Sequence, residues 1–317
     1  MFSSRLWYGA LLLTLSFTAG CSNSPEPPAA KPRPSATTPS ASTDTRAQLR
    51  VDGTTRTYLL HAPAKSAAAT PKPLLIAFHG SGESAADMRS RTALNRAAAA
   101  RTMLIAYPEG LDHAWGAGAA ATKERPDPDT DVRFTEALIK DLVRTHRADP
   151  AHVYAVGFSN GGSMALRMAA QRPKLLAGAA SVAGQLPTGT AKVTPTGPVP
   201  VLLIHGSADP IRPPSGLPHP GPPAAGKAPI TPTMSSRASA EAFAAAAGSA
   251  GTPKTTHKQG YDSTTWPPAP SGAAVQLLIM SGAGHTWPGT SATPPPGFGT
   301  VSTALDATNT ILAFFAG

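Results

Sequence analysis

Three polar residues in the second half of the chain are of the types that nucleophilic catalysis requires. Ser159 lies in GFSNG, Asp209 in HGSADP and His285 in GAGHTWPG. A serine hydroxyl attacks a carbonyl carbon only when a base takes its proton, and a histidine held by a carboxylate is such a base. These residue types therefore predict a hydrolase that acts through a covalent acyl-enzyme.

The segment GFSNG matches the pattern G-x-S-x-G, which chance alone would place in a chain this long with odds of about one in ten. Its context is more specific, because the apolar run HVYAV leads in and a helix-like segment leads out. In such a strand–turn–helix the serine adopts strained backbone angles, and Gly157 and Gly161 leave room for the turn. The N-terminal N–H groups of the helix would point at charge developing near Ser159. The alternative is an ordinary loop.

Asp209 and His285 each follow an apolar run, VPVLLIHG and AVQLLIMSG respectively. An Asp before Pro is often a turn former, and a His between Gly and Thr can simply be exposed. The order Ser, Asp, His, with each residue just beyond a predicted strand, is that of α/β-hydrolases. The conjunction therefore predicts Ser159 as nucleophile, Asp209 as orienting acid and His285 as general base.

Two backbone N–H groups are needed to hold the oxyanion of the tetrahedral intermediate. One should belong to Asn160, the residue after the nucleophile. The other should follow an early strand, and PLLIAFHGSGES offers the N–H of Ser81, with Gly80 and Gly82 allowing close approach. We expect His79 to brace this turn rather than to titrate in catalysis.

The elements that must position these residues are short apolar segments alternating with helix-like ones. The predicted strands are TYLLHA, PLLIAFHG, TMLIAYPEG, HVYAVGFS, LLAGAASVAG, VPVLLIHG and AVQLLIMSG. Helices are predicted in ESAADMRSRTALNRAAAA, in SNGGSMALRMAAQRP, and in VRFTEALIKDLVRTHR, where Phe134, Leu138 and Leu142 share one stripe. This alternation predicts an α/β fold of the α/β-hydrolase type, a mostly parallel central sheet with helices on both faces. Function then lies at the carboxyl ends of the strands.

The segments HGSGES, YPEG followed by Trp115, GFSNGG, HGSADPIRP and GHTWPG resemble the polyhydroxybutyrate depolymerase/LpqC-type esterases. These are α/β-hydrolases related to feruloyl and acetylxylan esterases, and the resemblance extends from about Leu49 to the C-terminus. It implies the same triad, and it implies that Trp115 and Trp287 lie near the cleft as substrate-binding residues. Flat aromatic faces there could hold an aryl or sugar group. Core packing is the alternative for both rings.

The chain departs from this family at two places. Relatives often carry disulfide-forming cysteines beside the HG turn and after the Trp of the YPEG loop, where this chain reads HGSGES and WGAGAAATKERPD. After HGSADP, relatives continue with a short Val-Pro-Tyr-type segment, whereas this chain has IRPPSGLPHPG, so the acyl-side pocket is expected to differ. The Pro-rich loop 212–233 either covers a substrate cleft or is a surface loop.

The N-terminus has the pattern of an export signal. Arg5 precedes the apolar stretch ALLLTLSFTAG, and the only cysteine of the chain, Cys21, follows directly. TAGC resembles a lipobox, although Thr18 stands where Leu is preferred. We therefore predict a signal peptide over 1–20, a lipidated Cys21 with a Pro/Ser/Ala-rich tether over 21–46, and a catalytic domain over 47–317. The alternative is an ordinary secreted protein cut near Ala19 or Gly20.

Composition limits the partners. The net charge is +9, but the Lys and Arg residues are scattered, with no basic run interleaved with aromatics, so no nucleic-acid partner is predicted. No His/Asp/Glu cluster has metal-ligand spacing, so neither a metal nor a cofactor is predicted. We expect a monomer.

The sequence thus predicts an exported serine esterase, held on the outer face of the cell membrane by its lipid or secreted if Cys21 is not lipidated. Its substrates would be feruloyl- or acetyl-polysaccharide esters, or short hydroxyalkanoate-type esters. Three alternatives remain open: a serine peptidase with the same triad, a non-catalytic surface-binding lipoprotein, and a secreted polyester depolymerase.

Overall fold

A ten-stranded sheet runs through the residues that the computed structural model describes, which are 43–63, 70–99, 101–123, 125–221, 230–267, 270 and 272–317. The strand order is β1-β2-β4-β3-β5-β6-β7-β10-β9-β8. The strands are β1 (Thr43–Val51), β2 (Thr54–Ala62), β3 (Lys72–Phe78), β4 (Leu104–Pro108), β5 (Ala148–Phe158), β6 (Gly178–Val182), β7 (Val201–Gly206), β8 (Lys254–Lys258), β9 (Tyr261–Trp266) and β10 (Val275–Met280). The six neighbouring strands β4, β3, β5, β6, β7 and β10 pair in parallel. On one side β2 pairs antiparallel with β4, and on the other side β9 pairs antiparallel with β10.

Helices cover both faces of the sheet. They are α1 (Ala85–Thr92), α2 (Leu94–Ala99), α3 (Thr130–His146), α4 (Asn160–Gln171), α5 (Ser236–Ala246) and α6 (Ala307–Phe314). Alternate residues of β3 point to opposite faces, as the strand period requires. Leu74 and Ile76 pack in a cluster with Phe134 of α3, whereas Leu75 packs in a second cluster with Met88 of α1. The α/β-hydrolase fold predicted from the sequence is thereby confirmed.

The structure departs from the predicted elements in three places. Strand β1 begins at Thr43, inside the segment predicted as tether, and pairs with β2 along its length. The hairpin of β8 and β9 was not predicted, because every residue of β8 is exposed and carries no apolar alternation. The helix predicted across residues 83–100 is divided at Ala93, which adopts a left-handed conformation with φ of 49°.

The predicted signal peptide, Cys21 and most of the tether lie outside the described residues. Among the helices that the structure does describe, none combines the length and apolarity needed to span a bilayer.

Candidate active site

Ser159 occupies a sharp turn between β5 and α4. Its backbone angles, φ 55° and ψ −118°, are strained for a residue with a side chain. The turn is fixed by a hydrogen bond from the Ser159 N–H to the Val182 carbonyl at 2.8 Å. A Cβ on Gly161 would overlap the carbonyl oxygens of Phe78 and His79, so glycine allows the turn to approach the end of β3 closely. This is the geometry of a nucleophile elbow.

The three residues predicted as a triad meet at the carboxyl edge of the sheet. His285 Nε2 lies 2.8 Å from Ser159 Oγ, and His285 Nδ1 lies 2.7 Å from Asp209 Oδ2. The loops after β7 and β10 are joined by backbone hydrogen bonds, among them Ala208 N–H to the Ala283 carbonyl at 2.9 Å. All three side chains are buried. The arrangement can pass the serine proton to an imidazole whose other nitrogen is held by a carboxylate.

The Asp209 carboxylate is held in its ionised form. Burial alone would raise the pKa of Asp209, but hydrogen bonds from His205 and His285 outweigh burial and lower it well below its usual range. His205 Nε2 lies 3.3 Å from Asp209 Oδ2, and the N–H groups of Ile211 and Arg212 donate to Oδ1 at 2.9 and 2.8 Å. Asp209 therefore stays an acceptor while His285 changes its protonation state.

His285 is held in its neutral form. Burial lowers its pKa most, the Asp209 carboxylate opposes this, and the positive charge of Arg212 lowers the pKa further. The imidazole packs between the rings of Phe158, at a centroid distance of 5.1 Å, and Phe298, edge-on at 5.5 Å. Since only a neutral imidazole accepts the serine proton, this environment favours the basic form of His285.

The two N–H groups predicted to hold an oxyanion, those of Ser81 and Asn160, have no hydrogen-bond acceptor among the described residues. The close contact of Gly161 with the carbonyls of Phe78 and His79 places the turn containing Ser81 beside the first turn of α4. Free N–H groups near a nucleophilic serine can accept developing negative charge.

His79 braces the turn after β3, as expected. Its Nδ1–H donates to the Gly80 carbonyl at 2.7 Å, and its Nε2 accepts from the Gly110 N–H at 3.0 Å. Burial lowers the pKa of His79, which favours the neutral ring that these two bonds require.

A side-chain clamp that the sequence did not reveal joins α4 to the segment around Trp115. Asn160 Oδ1 accepts from the Trp115 N–H at 2.7 Å, and Asn160 Nδ2 donates to the Trp115 carbonyl at 3.1 Å. Trp115 Nε1 in turn donates to the His79 carbonyl at 2.9 Å. The clamp holds the elbow and the turn after β3 in one hydrogen-bonded unit.

The structure buries both tryptophans for which a substrate-binding role was expected. Trp287 is 1% exposed, and its Nε1 donates to Thr308 Oγ1 at 3.1 Å. Trp115 is 3% exposed and packs edge-on to Phe78. Neither ring offers an open face, so core packing, the alternative held open for them, describes both in this structure. Phe298 is the partly exposed ring that contacts His285, and its sequence context PPPGFG gave no sign of this.

Buried charges brace the loop that carries Trp115. Asp131 is fully buried and accepts from Arg56, from Arg125 and from the Gly116 N–H. Arg167 of α4, also fully buried, donates to the carbonyls of Gly116, Gly118 and Pro128. Ion pairs and hydrogen bonds to backbone carbonyls thus hold this loop against α3 and α4.

The Pro-rich loop 212–233 is described up to residue 221 and again from 230. Its near end is fastened to the body, because Gln185 Nε2 donates to the Pro213 carbonyl at 2.8 Å and Ser236 N–H donates to the Pro214 carbonyl at 2.9 Å. Thr233 pairs with both Leu217 and Pro187. Within the described ranges, no three His, Cys, Asp or Glu side chains are grouped as metal ligands.

Comparison with known proteins places this geometry among esterases. Residues 61–216 match the family described as phospholipase/carboxylesterase. A protein named "Putative esterase NocK" from Nocardia uniformis subsp. tsuyamanensis is 41% identical, over 98% of this chain and 97% of its own length. Feruloyl esterase B of Piromyces equi is 33% identical over 43% of this chain and 26% of its own length. The structure of an acetyl xylan esterase from Aspergillus awamori superimposes with a TM-score of 0.59 at 16% identity, covering 86% of this chain and 99% of that one, and it supports the fold.

Proposed function

Because the chain belongs to the carboxylesterases of the α/β-hydrolase fold, we propose that it cleaves carboxylic esters through an acyl-enzyme on Ser159. The observation that carries this proposal is the hydrogen-bonded series Ser159 Oγ, His285, Asp209, with distances of 2.8 and 2.7 Å. Membership of this family supports ester hydrolysis as the reaction. We assign its catalytic steps to these three side chains.

In the first half-reaction Ser159 Oγ attacks the ester carbonyl carbon while His285 Nε2 accepts the hydroxyl proton. The carbonyl oxygen becomes an oxyanion, and the free N–H groups of Ser81 and Asn160 stabilise it. Collapse of the intermediate breaks the bond to the alcohol oxygen, which takes the proton from His285. Asp209 orients the imidazole throughout and remains ionised.

In the second half-reaction a water molecule replaces the alcohol. His285 removes its proton as it attacks the acyl carbon, and the second tetrahedral intermediate uses the same two N–H groups. Its collapse returns the proton to Ser159 Oγ and releases the carboxylic acid. The cycle uses no group from outside the chain other than ester and water.

For the substrate we propose feruloyl or acetyl esters of polysaccharides, or short hydroxyalkanoate-type esters. The similarity to a feruloyl esterase over 43% of the chain supports the first group. We also propose that the enzyme is exported and acylated at Cys21, on the basis of the apolar N-terminal stretch and the TAGC sequence. A tether of Pro, Ser and Ala would then separate the membrane from the catalytic domain.

The test compares Ser159→Ala with Ser90→Ala, which makes the same change at an exposed position of α1. With 4-nitrophenyl acetate, Ser159→Ala should lower kcat/KM by several orders of magnitude, whereas Ser90→Ala should match the unaltered enzyme. Retention of activity in Ser159→Ala would refute the mechanism. Faster cleavage of a matched anilide than of the ester would instead favour a peptidase.

A further inference from the structure

The guanidinium of Arg212, close in sequence to the triad acid, makes no hydrogen bond or ion pair with any described side chain. Arg212 follows Asp209 by three residues and is partly buried. In the described part of the chain its guanidinium has no hydrogen-bond acceptor and no ion-pair partner, and its nitrogens retain contact with solvent. Its backbone N–H donates to Asp209 Oδ1 at 2.8 Å, and its positive charge lowers the pKa of His285, so the residue lies beside the reacting groups.

The other arginines show how unusual this position is. Within the described ranges, every other arginine that is buried or partly buried contacts a carboxylate, for example Arg56 with Asp131, Arg91 with Glu83 and Arg172 with Glu136. Partial burial of a cation is unfavourable unless an anion or hydrogen-bond acceptor compensates for the lost water. At Arg212 no carboxylate of the described residues contacts the guanidinium, and the charge of Asp209 acts on it without a hydrogen bond.

The main chain at Arg212 is fixed, so only its side chain can adapt to a ligand. The Arg212 N–H donates to Asp209 Oδ1 at 2.8 Å, and its carbonyl oxygen accepts from His205 Nε2 at 2.6 Å. The next two carbonyls, of Pro213 and Pro214, are also engaged by donors from the body of the protein. A cation held on a rigid segment loses less entropy on binding than one on a flexible loop.

The neighbour of Arg212 in the chain adds apolar surface. After HGSADP the chain continues IRPPSG. Ile211, beside Arg212, is an exposed large apolar residue at 38%. An exposed apolar residue and an arginine without an ion pair among the described residues therefore follow the triad acid by two and three positions.

We propose that Arg212 binds a carboxylate of the substrate, so that this enzyme prefers esters that carry an ionised carboxyl group as well as the scissile bond. The proposal rests on the proposed ester hydrolysis at Ser159. A guanidinium offers two parallel N–H donors that match the two oxygens of a carboxylate, and contact with the neighbouring apolar surface would strengthen the pair by excluding water.

The experiment uses ester pairs that differ only in this charge. On the acyl side, mono(4-nitrophenyl) adipate and suberate are each compared with their methyl-capped diesters. On the alcohol side, 4-acetoxybenzoate is compared with its methyl ester. The measured quantity is the ratio of kcat/KM for the charged ester to kcat/KM for its neutral counterpart, in the unaltered enzyme, Arg212→Gln, Arg212→Lys and Arg50→Gln. Arg50 is exposed on the edge strand β1, so its variant removes the same charge away from the site.

We expect the unaltered enzyme to prefer the charged member of at least one pair by about tenfold or more. Arg212→Gln should bring that ratio close to one, Arg212→Lys should retain part of it, and Arg50→Gln should leave it unchanged. The ratio should also fall with added salt. A ratio at or below one for every pair in the unaltered enzyme, or a preference that survives in Arg212→Gln, would overturn the proposal. Ser159→Ala separates the two proposals, because loss of activity on both members of every pair supports the ester mechanism whatever the ratios show.

Discussion

At the residue scale, the two members of the His285–Asp209 pair are held in opposite states. Hydrogen bonds keep Asp209 ionised, whereas burial and nearby positive charge keep His285 neutral. In the resting enzyme the proton therefore stays on Ser159 and the base is ready to accept it. During attack the imidazolium that forms gains its stabilisation from Asp209, and Arg212 opposes that gain unless an anion neutralises it.

This balance gives a prediction about pH. His285 must be neutral to accept the serine proton, so activity is lost as pH falls through its pKa, which lies below the ordinary histidine value of 6.5. Arg212 contributes to that lowering, so Arg212→Gln should raise the pKa and move the acid limb of kcat/KM to higher pH. The limb is measured with neutral 4-nitrophenyl acetate at the isosbestic wavelength of 4-nitrophenol.

Arg212→Lys is the control for this shift, because it keeps the charge and should leave the acid limb near that of the unaltered enzyme. An acid limb that stays in place in Arg212→Gln, or that moves to lower pH, would contradict the electrostatic role of Arg212.

Residue types and their order were enough to predict which side chains would meet, because the carboxyl ends of parallel strands share one edge of a sheet. The same reasoning missed the clamp between Asn160 and Trp115 and the approach of Phe298 to His285. Those contacts depend on the path of long loops, which no periodicity encodes. The family resemblance implied that Trp115 and Trp287 lie near the cleft, with core packing as the alternative, and the structure buries both rings.

At the element scale, the loop that carries Trp115 depends on charge for its stability. Asp131 lies at the start of α3 and is fully buried between Arg56 and Arg125, and Arg56 also stacks over Phe134 at 4.0 Å. Removing one member of such a group leaves uncompensated buried charge, which costs more than the pair itself contributes.

We therefore predict that Asp131→Asn lowers the free energy of unfolding by about 3–5 kcal/mol, because two guanidiniums lose their shared carboxylate in a buried place. Esterase activity should fall as well, since the N–H of Gly116, which follows Trp115, loses the carboxylate that accepts its hydrogen bond. Urea denaturation followed by circular dichroism measures the first effect and 4-nitrophenyl acetate hydrolysis the second.

Glu241→Gln is the control, since it breaks an ion pair with Arg237 within α5 in which the two side chains are 48% and 53% exposed. Exposed pairs within a helix contribute little, so stability should be nearly unchanged. If both variants lowered the free energy of unfolding by the same amount, the buried network around Asp131 would contribute no more to stability than an exposed ion pair.

Which elements could be predicted depended on burial. Strands β3 to β7 and β10 are apolar on both faces, since helices cover them, and their sequences predict them directly. Strand β8 is wholly exposed at the sheet edge, and its sequence KTTHK contains no apolar residue to mark it. The network of buried charges could not be predicted from the sequence either, because its members are far apart in the chain and belong to no motif. They include Arg56, Asp131 and Arg167.

At the scale of the whole molecule, the site is assembled from turns as far apart as His79 and His285. Each of these turns follows a parallel strand, and each reaches its neighbours through backbone contacts. The described residues lie within one compact unit, so the strands of one sheet fix the positions of the turns that form the site. Truncation at the N-terminal end of this unit would remove the edge strand β1, and truncation at the C-terminal end would remove α6, which packs on the sheet.

The N-terminal segment provides the last prediction, because acylation at Cys21 would decide where this unit works. Acyl chains on one residue hold a protein at a membrane when at least two are attached. If Cys21 is acylated, the protein expressed in an actinobacterial or other lipoprotein-processing host should partition with membranes and incorporate labelled palmitate. Cys21→Ser should abolish the label and move the esterase into the soluble or secreted fraction with its kcat/KM intact, whereas Ser24→Ala, in the adjoining tether, should behave like the unaltered chain. If the Cys21→Ser protein stayed with the membranes, a feature other than the lipid would hold it there, and acylation would not explain its location.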